Sequence, residues 1–389
     1  MIDPKARDTI LRSLPNFREK LRDLREIVLA NAVMIGEIPA PTFKEDARTR
    51  FLLDRFTESG LQNISCDEKG NSTAIIPGTR GKENILISSH IDTEFSAAID
   101  HTMNITPDSI RGSGIADNSL GVAVMASLPS ILEKLDIKLQ HDLVLLGAVK
   151  GLGKGNLEGL RFFVNNTPLK LKSAICLEGV HLGRLSYSCL GMMRAEIICS
   201  INEDHNPDQS AAIVALNKII SRIMEIRLPQ EPKTSIILGG ISGGKAFGKP
   251  ATKARLRFEV RSEKTGMVGE ILNTIQTITE EIDSEELIDV QLNVVSRNKA
   301  GGIPFVHPLV QNTRAIMKGL NIKPRLAPSV GDLSAIISKG IPALTLGLTT
   351  GSKKEDDFEY INIDPIFSGI AQLLGVILSI DQGVCDDED

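Results

Sequence analysis

The sequence predicts an α/β protein with a mainly parallel central sheet flanked by helices, and a small α+β module inserted into it. Three observations carry this. The continuous apolar runs "DLVLLGAV", "KSAICLEG" and "IPALTLGL" are of the kind a parallel sheet buries on both faces. Such runs alternate with helical stretches, the order of an α/β domain. Between "MRAEIICSI" and "IDVQLNVV" the order becomes β-α-β-β-α-β, the signature of a ferredoxin-like module.

Taken in order, residues 5–35 mix charged and apolar positions at helical spacing, with Pro15 expected as an interruption. "EIPAPTF" ends that helix, and "KEDARTRFLLDRFTESG" reads as the next, stopped by Gly60. "NSTAIIPG" and "ENILISSH" are short strands bounded by turn residues. "GVAVMASLPSILEKL" is an amphipathic helix. The inserted module has helices over 208–227 and 265–282, with strands "TSIILGGI" and "KARLRFEVRS" between them. The α/β pattern resumes near residue 301. "GIAQLLGVILSI" reads as a packed C-terminal helix, too short to span a bilayer. The expected domains are 1–185 with 298–389, and 186–297.

Bulk properties narrow the function. With 389 residues the chain has room for more than one domain, and 42% hydrophobic with 24% charged residues is ordinary for a globular protein. A net charge of −5 supplies no basic field for nucleic acid, and a chain without Trp and with 4% aromatics lacks stacking platforms. Five scattered cysteines without a CxxC pair fit reduced thiols and a cytoplasmic setting. The start has no apolar signal core, so neither a leader nor a membrane partner is expected.

The loop in "DLVLLGAVKGLGKGNLEGLR" is rich in glycine and lysine but is not a phosphate loop. Gly147 and Gly153 are one residue too far apart, and Lys154 is followed by Gly155 instead of a hydroxyl residue. The dinucleotide pattern fails at Asn156. Open α/β sheets collect ligands at the carboxyl ends of their strands. There "ILISSHIDT" presents His90 and Asp92, "RGSGIADNSLGVA" presents Asp117, and "SAICLEG" presents Glu178. One imidazole and two carboxylates form a ligand set suited to zinc, with Asp92 placed to fix the imidazole tautomer. Singly, each could be structural: Asp117 a helix cap, Glu178 an exposed loop carboxylate.

In this combination and order, the motifs resemble the di-zinc peptidase family of aminoacylase, carboxypeptidase G, peptidase T and succinyl-diaminopimelate desuccinylase. The similarity covers nearly the whole chain, including "KAGGIPFVHPLV", "VGDLSAIISKGIPALTLGL" and "EYI". It implies a zinc-peptidase-like domain with a ferredoxin-like lid that dimerises. It implies that His90 and Glu178 bind one zinc, that Asp117 bridges two, and that Asp92 supports His90 in catalysis. It implies a cis peptide between Asp117 and Asn118. In the lid it offers His205 and Arg261 as substrate-binding residues, while Phe247 stands where an Asn is usual.

The opening loop departs from the resemblance. Relatives carry Glu-Glu before the Gly-Leu-Gly turn, the first a general base and the second a ligand to the second zinc. Aligning "GLG" puts Val149 and Lys150 there. The second zinc's His falls on Glu355, which is either a ligand or part of the solvated run "KKEDD". Lys150 is expected among Asp117, Glu178 and Glu355, with one zinc per chain at most, or none. The expected protein is a homodimer holding a peptide-like or N-acyl amino acid ligand. It hydrolyses weakly or not at all; the alternative is an active single-metal peptidase or deacylase.

Overall fold

In the computed structural model the described residues are 4–81, 83–201, 211–286, 288–353 and 359–386. Pro15 does not interrupt the first helix, which runs Pro4–Leu21 with Pro15 inside it. The break falls instead at Arg22–Leu24, a tighter turn leading into the helix Arg25–Gly36. Ile10, Leu14 and Leu21 are buried along this stretch. Burial of three such side chains, at roughly 1.5–3 kcal/mol each, outweighs the roughly 3 kcal/mol that an internal proline costs.

The chain divides into two compact units, Met1–Ser188 with Gly302–Asp389, and Cys189–Gly301. The first is built on an eight-stranded sheet. In chain order its strands are β1 Gln62–Cys66, β2 Ser72–Ile76, β3 Asn84–His90, β4 Asp142–Ala148, β5 Leu171–Val180, β6 Arg184–Ser186, β7 Arg325–Leu326 and β8 Ala343–Thr349. Across the sheet the order is β1-β2-β4-β3-β5-β8-β6-β7. The four central strands, β4, β3, β5 and β8, are mutually parallel. Antiparallel pairings join β2 to β4 and β6 to β8. All of β3 and β8 is buried, as their apolar runs require. A small four-stranded sheet, containing Ser109–Arg111, Gly351–Ser352 and Tyr360–Asn362, stands beside it in the same unit.

The C-terminal helix spans Asp364–Asp381, longer than the sequence reading allowed. It and the segment Ile115–Lys134 are long and apolar enough to cross a membrane, yet 89% and 83% of their apolar windows lie inside the fold. Both are core helices, buried nearly throughout.

The second unit has strands Gly191–Ser200, Thr234–Gly243, Lys253–Ser262 and Asp289–Asn298, with helices Ala211–Met224 and Met267–Glu286. Its antiparallel sheet runs 234–243, 253–262, 191–200, 289–298. Alternate residues of the 253–262 strand, Ala254, Leu256, Phe258 and Val260, face a separate core with Leu216 and Ile275 from the two helices.

Candidate metal centre

The centre lies at the carboxyl ends of the parallel strands of the first unit. β3 ends in Ser88-Ser89-His90, all buried. His90 Nδ1 sits 3.1 Å from the Asp92 carbonyl oxygen and 3.5 Å from its Oδ1. A carbonyl only accepts, so Nδ1 carries a proton and Nε2 is the atom available to a ligand. Nε2 points to Asp117 Oδ1 at 3.1 Å. Asp92 Oδ2 accepts hydrogen bonds from Thr42 Oγ1 and Leu152 N–H, both at 2.8 Å.

Asp117 stands in the turn before the helix Leu120–Lys134, which Gly114 enters at φ +76°. The Asp117–Asn118 peptide is cis. Asn118 ties the turn to two strands: Nδ2 donates to Ser89 Oγ (2.8 Å) and the Leu177 carbonyl (2.7 Å), and Oδ1 accepts from Gly179 N–H (2.8 Å). Glu359 Oε2 accepts from the N–H groups of Ala116 and Asp117, at 2.8 and 3.1 Å. Glu178, on β5, completes a cluster in which ligand atoms of His90, Asp117 and Glu178 all lie within 4.8 Å of one another.

A lysine ammonium does lie on these carboxylates, but it belongs to Lys353. Its Nζ is 3.0 Å from Asp117 Oδ1 and 2.8 Å from Glu178 Oε2. Lys150 is elsewhere. Its backbone is left-handed at φ +54°, its N–H donates to Glu45 Oε1 at 2.9 Å, and its charge helps Lys69 hold Glu158 below the usual carboxylate range. The loop comes close to the centre at its next residue. A Cβ on Gly151 would lie 2.9 Å from Asp92 Oδ1 and 3.1 Å from His90 Cβ, so Gly151 is the loop position against the His90–Asp92 pair. Val149 is buried in the core, with its N–H on Asn71 Oδ1 at 3.0 Å.

The electrostatics follow from these contacts. Burial opposes charge on His90, but its bonds to Asp117 and Asp92 outweigh that and hold the imidazolium well above its usual range. Burial likewise opposes ionisation of Asp117, yet His90 and Lys353 hold it well below the ordinary carboxylate range. Glu178 is lowered despite its burial, through Lys353 and then Arg184, whose Nη1 is 3.8 Å from Oε2. Lys353 is raised by the same two carboxylates against its own desolvation. Burial pushes Glu359 up to about 7 and Asp332 to about 6.

The sequence reading did not single out Lys353 or Arg184; it named Asn118 only for the cis peptide and quoted Asp332 and Glu359 only within motifs. Arg261 lies in the second unit, where its guanidinium meets Glu259 Oε1 and Arg194 Nε takes Glu259 Oε2 at 2.6 Å. Phe247 is fully exposed there. His205 and Glu355 lie outside the described residues.

The donor set fits one zinc-type ion: an imidazole nitrogen whose other nitrogen is held by a backbone carbonyl, and two carboxylates. Among the described residues Val149, Lys150 and Gly151 bring no ligand to the cluster, and Lys353 brings a cation.

No family model matches the chain. Peptidase T of Bacillus licheniformis is 23% identical over 366 residues, covering 82% of this chain and 87% of that protein. The structure of a dinuclear metal-binding peptidase of the M20 family from Bacillus subtilis superposes with a TM-score of 0.65 at 12% identity, over 92% of this chain and 99% of that one. The chain resembles the M20 metallopeptidases. Aminopeptidase PepT of Bacillus cereus agrees, with a TM-score of 0.70 and 17% identity over 92% of this chain and 98% of its own. The M20 fold therefore places His90, Asp117 and Glu178 on a scaffold that peptidases share.

Proposed function

We propose that this chain is an M20-type relative that binds a peptide-like or N-acyl amino acid ligand and hydrolyses it weakly or not at all. The observation that carries this reading is the loop 149–151, Val-Lys-Gly, which brings no carboxylate to the rim. Loss of a general base commonly costs about 10²–10⁴ in rate. Loss of a second ion removes one clamp on a developing oxyanion. The test is turnover of dipeptides, tripeptides and N-acyl amino acids with added zinc, manganese or cobalt, beside calorimetric binding of the same compounds. Binding with turnover at least about 10²-fold below a peptidase T assayed in parallel is expected. Comparable turnover would overturn the reading.

The second reading, an active single-metal peptidase or deacylase, draws on the His90, Asp117 and Glu178 cluster. It requires chelator-sensitive turnover that His90→Ala abolishes, with one zinc per chain at most. The five free cysteines fit a reducing, cytoplasmic compartment. A homodimer through the inserted unit belongs to the same proposal. Its edge strand Thr234–Gly243 exposes Ile237, Leu238 and Ile241. Light scattering on the full chain decides, and a monomer at micromolar concentration would exclude the dimer.

A further inference from the structure

We propose that Lys353 is a built-in cation that takes the metal's place in this centre, so that the native chain neutralises Asp117 and Glu178 without zinc. The 2.8 Å contact to Glu178 has a charge-assisted hydrogen-bond length, and the contact to Asp117, at 3.0 Å, is an ordinary hydrogen-bond length. They use Asp117 Oδ1, the oxygen that also faces His90 Nε2. A zinc ion held by the same cluster needs those oxygens at about 2.0–2.2 Å. Ammonium and ion therefore compete for the same atoms and repel each other.

The backbone brings Lys353 there. Gly351 and Ser352 pair with Ile361 and Tyr360, so the lysine leaves a paired strand and reaches the cluster from an anchored position. Only 27% of its side chain is exposed, which shields the contacts from solvent. A tethered cation is present at every zinc concentration, whereas an ion must be captured from solution. This inference rests on the reading of the centre as unable to hold two metals. It is tested without substrate, so the two can fail separately. A wild-type chain that binds zinc tightly and hydrolyses nothing refutes the role of Lys353 alone. One that hydrolyses peptides without zinc refutes the proposed function alone.

The full-length chain, stripped with chelator, is titrated with zinc chloride by calorimetry. The wild type is expected to show no saturable binding at micromolar zinc, and its melting temperature should not change with chelator. Lys353→Met should bind one equivalent about tenfold or more tighter than the wild type, and zinc should raise its melting temperature. Adding His90→Ala should abolish that site. Equal zinc affinity in wild type and Lys353→Met, or none in either, overturns the proposal. If Lys353→Met does not fold, the wild-type chelator scan decides: an unchanged melting temperature supports the built-in cation, and a fall refutes it.

Discussion

Two cations share one oxygen of Asp117, and each was differently visible in the sequence. His90 ends an apolar strand and precedes Asp92, a context that already points to a ligand. Lys353 sits in "GSKKEDD", where a charge reads as solvated, and its partner Glu178 is 175 residues away. Sequence spacing carries no information at that distance. Asp332 was hidden for the same reason, and it has a measurable consequence. Burial lifts its carboxyl from an ordinary 3.8 to about 6, although His90 pulls the other way. Between those values the unfolded chain has released a proton that the native chain retains. This contribution to stability is therefore complete below about pH 4 and is lost as pH rises through 6. The shift corresponds to roughly 2–3 kcal/mol. Asp332→Asn, which cannot ionise, should flatten the fall in thermal stability between pH 4 and 7 relative to wild type. A variant with the wild-type slope would refute the assignment.

At the scale of elements, the turn 114–119 and the end of β3 are held by polar groups that apolar patterning does not reveal. Asn118 makes three hydrogen bonds that join the turn to β3 and β5. Asn118→Ala should cost about 2–3 kcal/mol of stability, read as a lower urea midpoint at unchanged m. A loss under about 0.5 kcal/mol, the level of an ordinary surface substitution, would show that the brace is dispensable. Arg48 is a second such case. It is fully buried and donates to the carbonyls of Ile38 (2.8 Å), Ile91 (3.0 Å) and Gly36 (3.5 Å). Ile91 separates His90 from Asp92, so Arg48 fixes the backbone on which both stand. Burial lowers its guanidinium to about 10, which leaves it charged at neutral pH. Arg48→Met should cost about 2–4 kcal/mol by leaving those carbonyls unpaired, read by the same denaturation curves. The strands themselves were legible because apolar runs and turn residues are local signals. The left-handed backbone at Lys150 was not, because lysine is a residue type that gives no warning of it.

At the scale of the whole molecule, the β-α-β-β-α-β order announced the inserted unit, and its core shares no residue with those of the first unit. Phe258, 3% exposed in that core, offers a test of energetic separation. Phe258→Ala should lower the calorimetric transition of the inserted unit by about 3–4 kcal/mol and leave the other unchanged. A single transition shifted as a whole would show one cooperative block. The pairing of the first and last long helices was beyond sequence reading, since neither names its partner. Leu14 and Gly375 meet where Pro4–Leu21 packs on Asp364–Asp381, and Arg22 reaches Asp364 at 2.7 Å. This sets an order of events at the ribosome. The helix Pro4–Leu21 emerges with Ile10, Leu14 and Leu21 ready for burial, but Asp364–Asp381, which packs on it, is synthesised hundreds of residues later. At about 5–20 residues per second, it waits for tens of seconds with its sticky face uncovered. During that interval a chaperone, or another nascent chain, can claim the face before its own partner arrives.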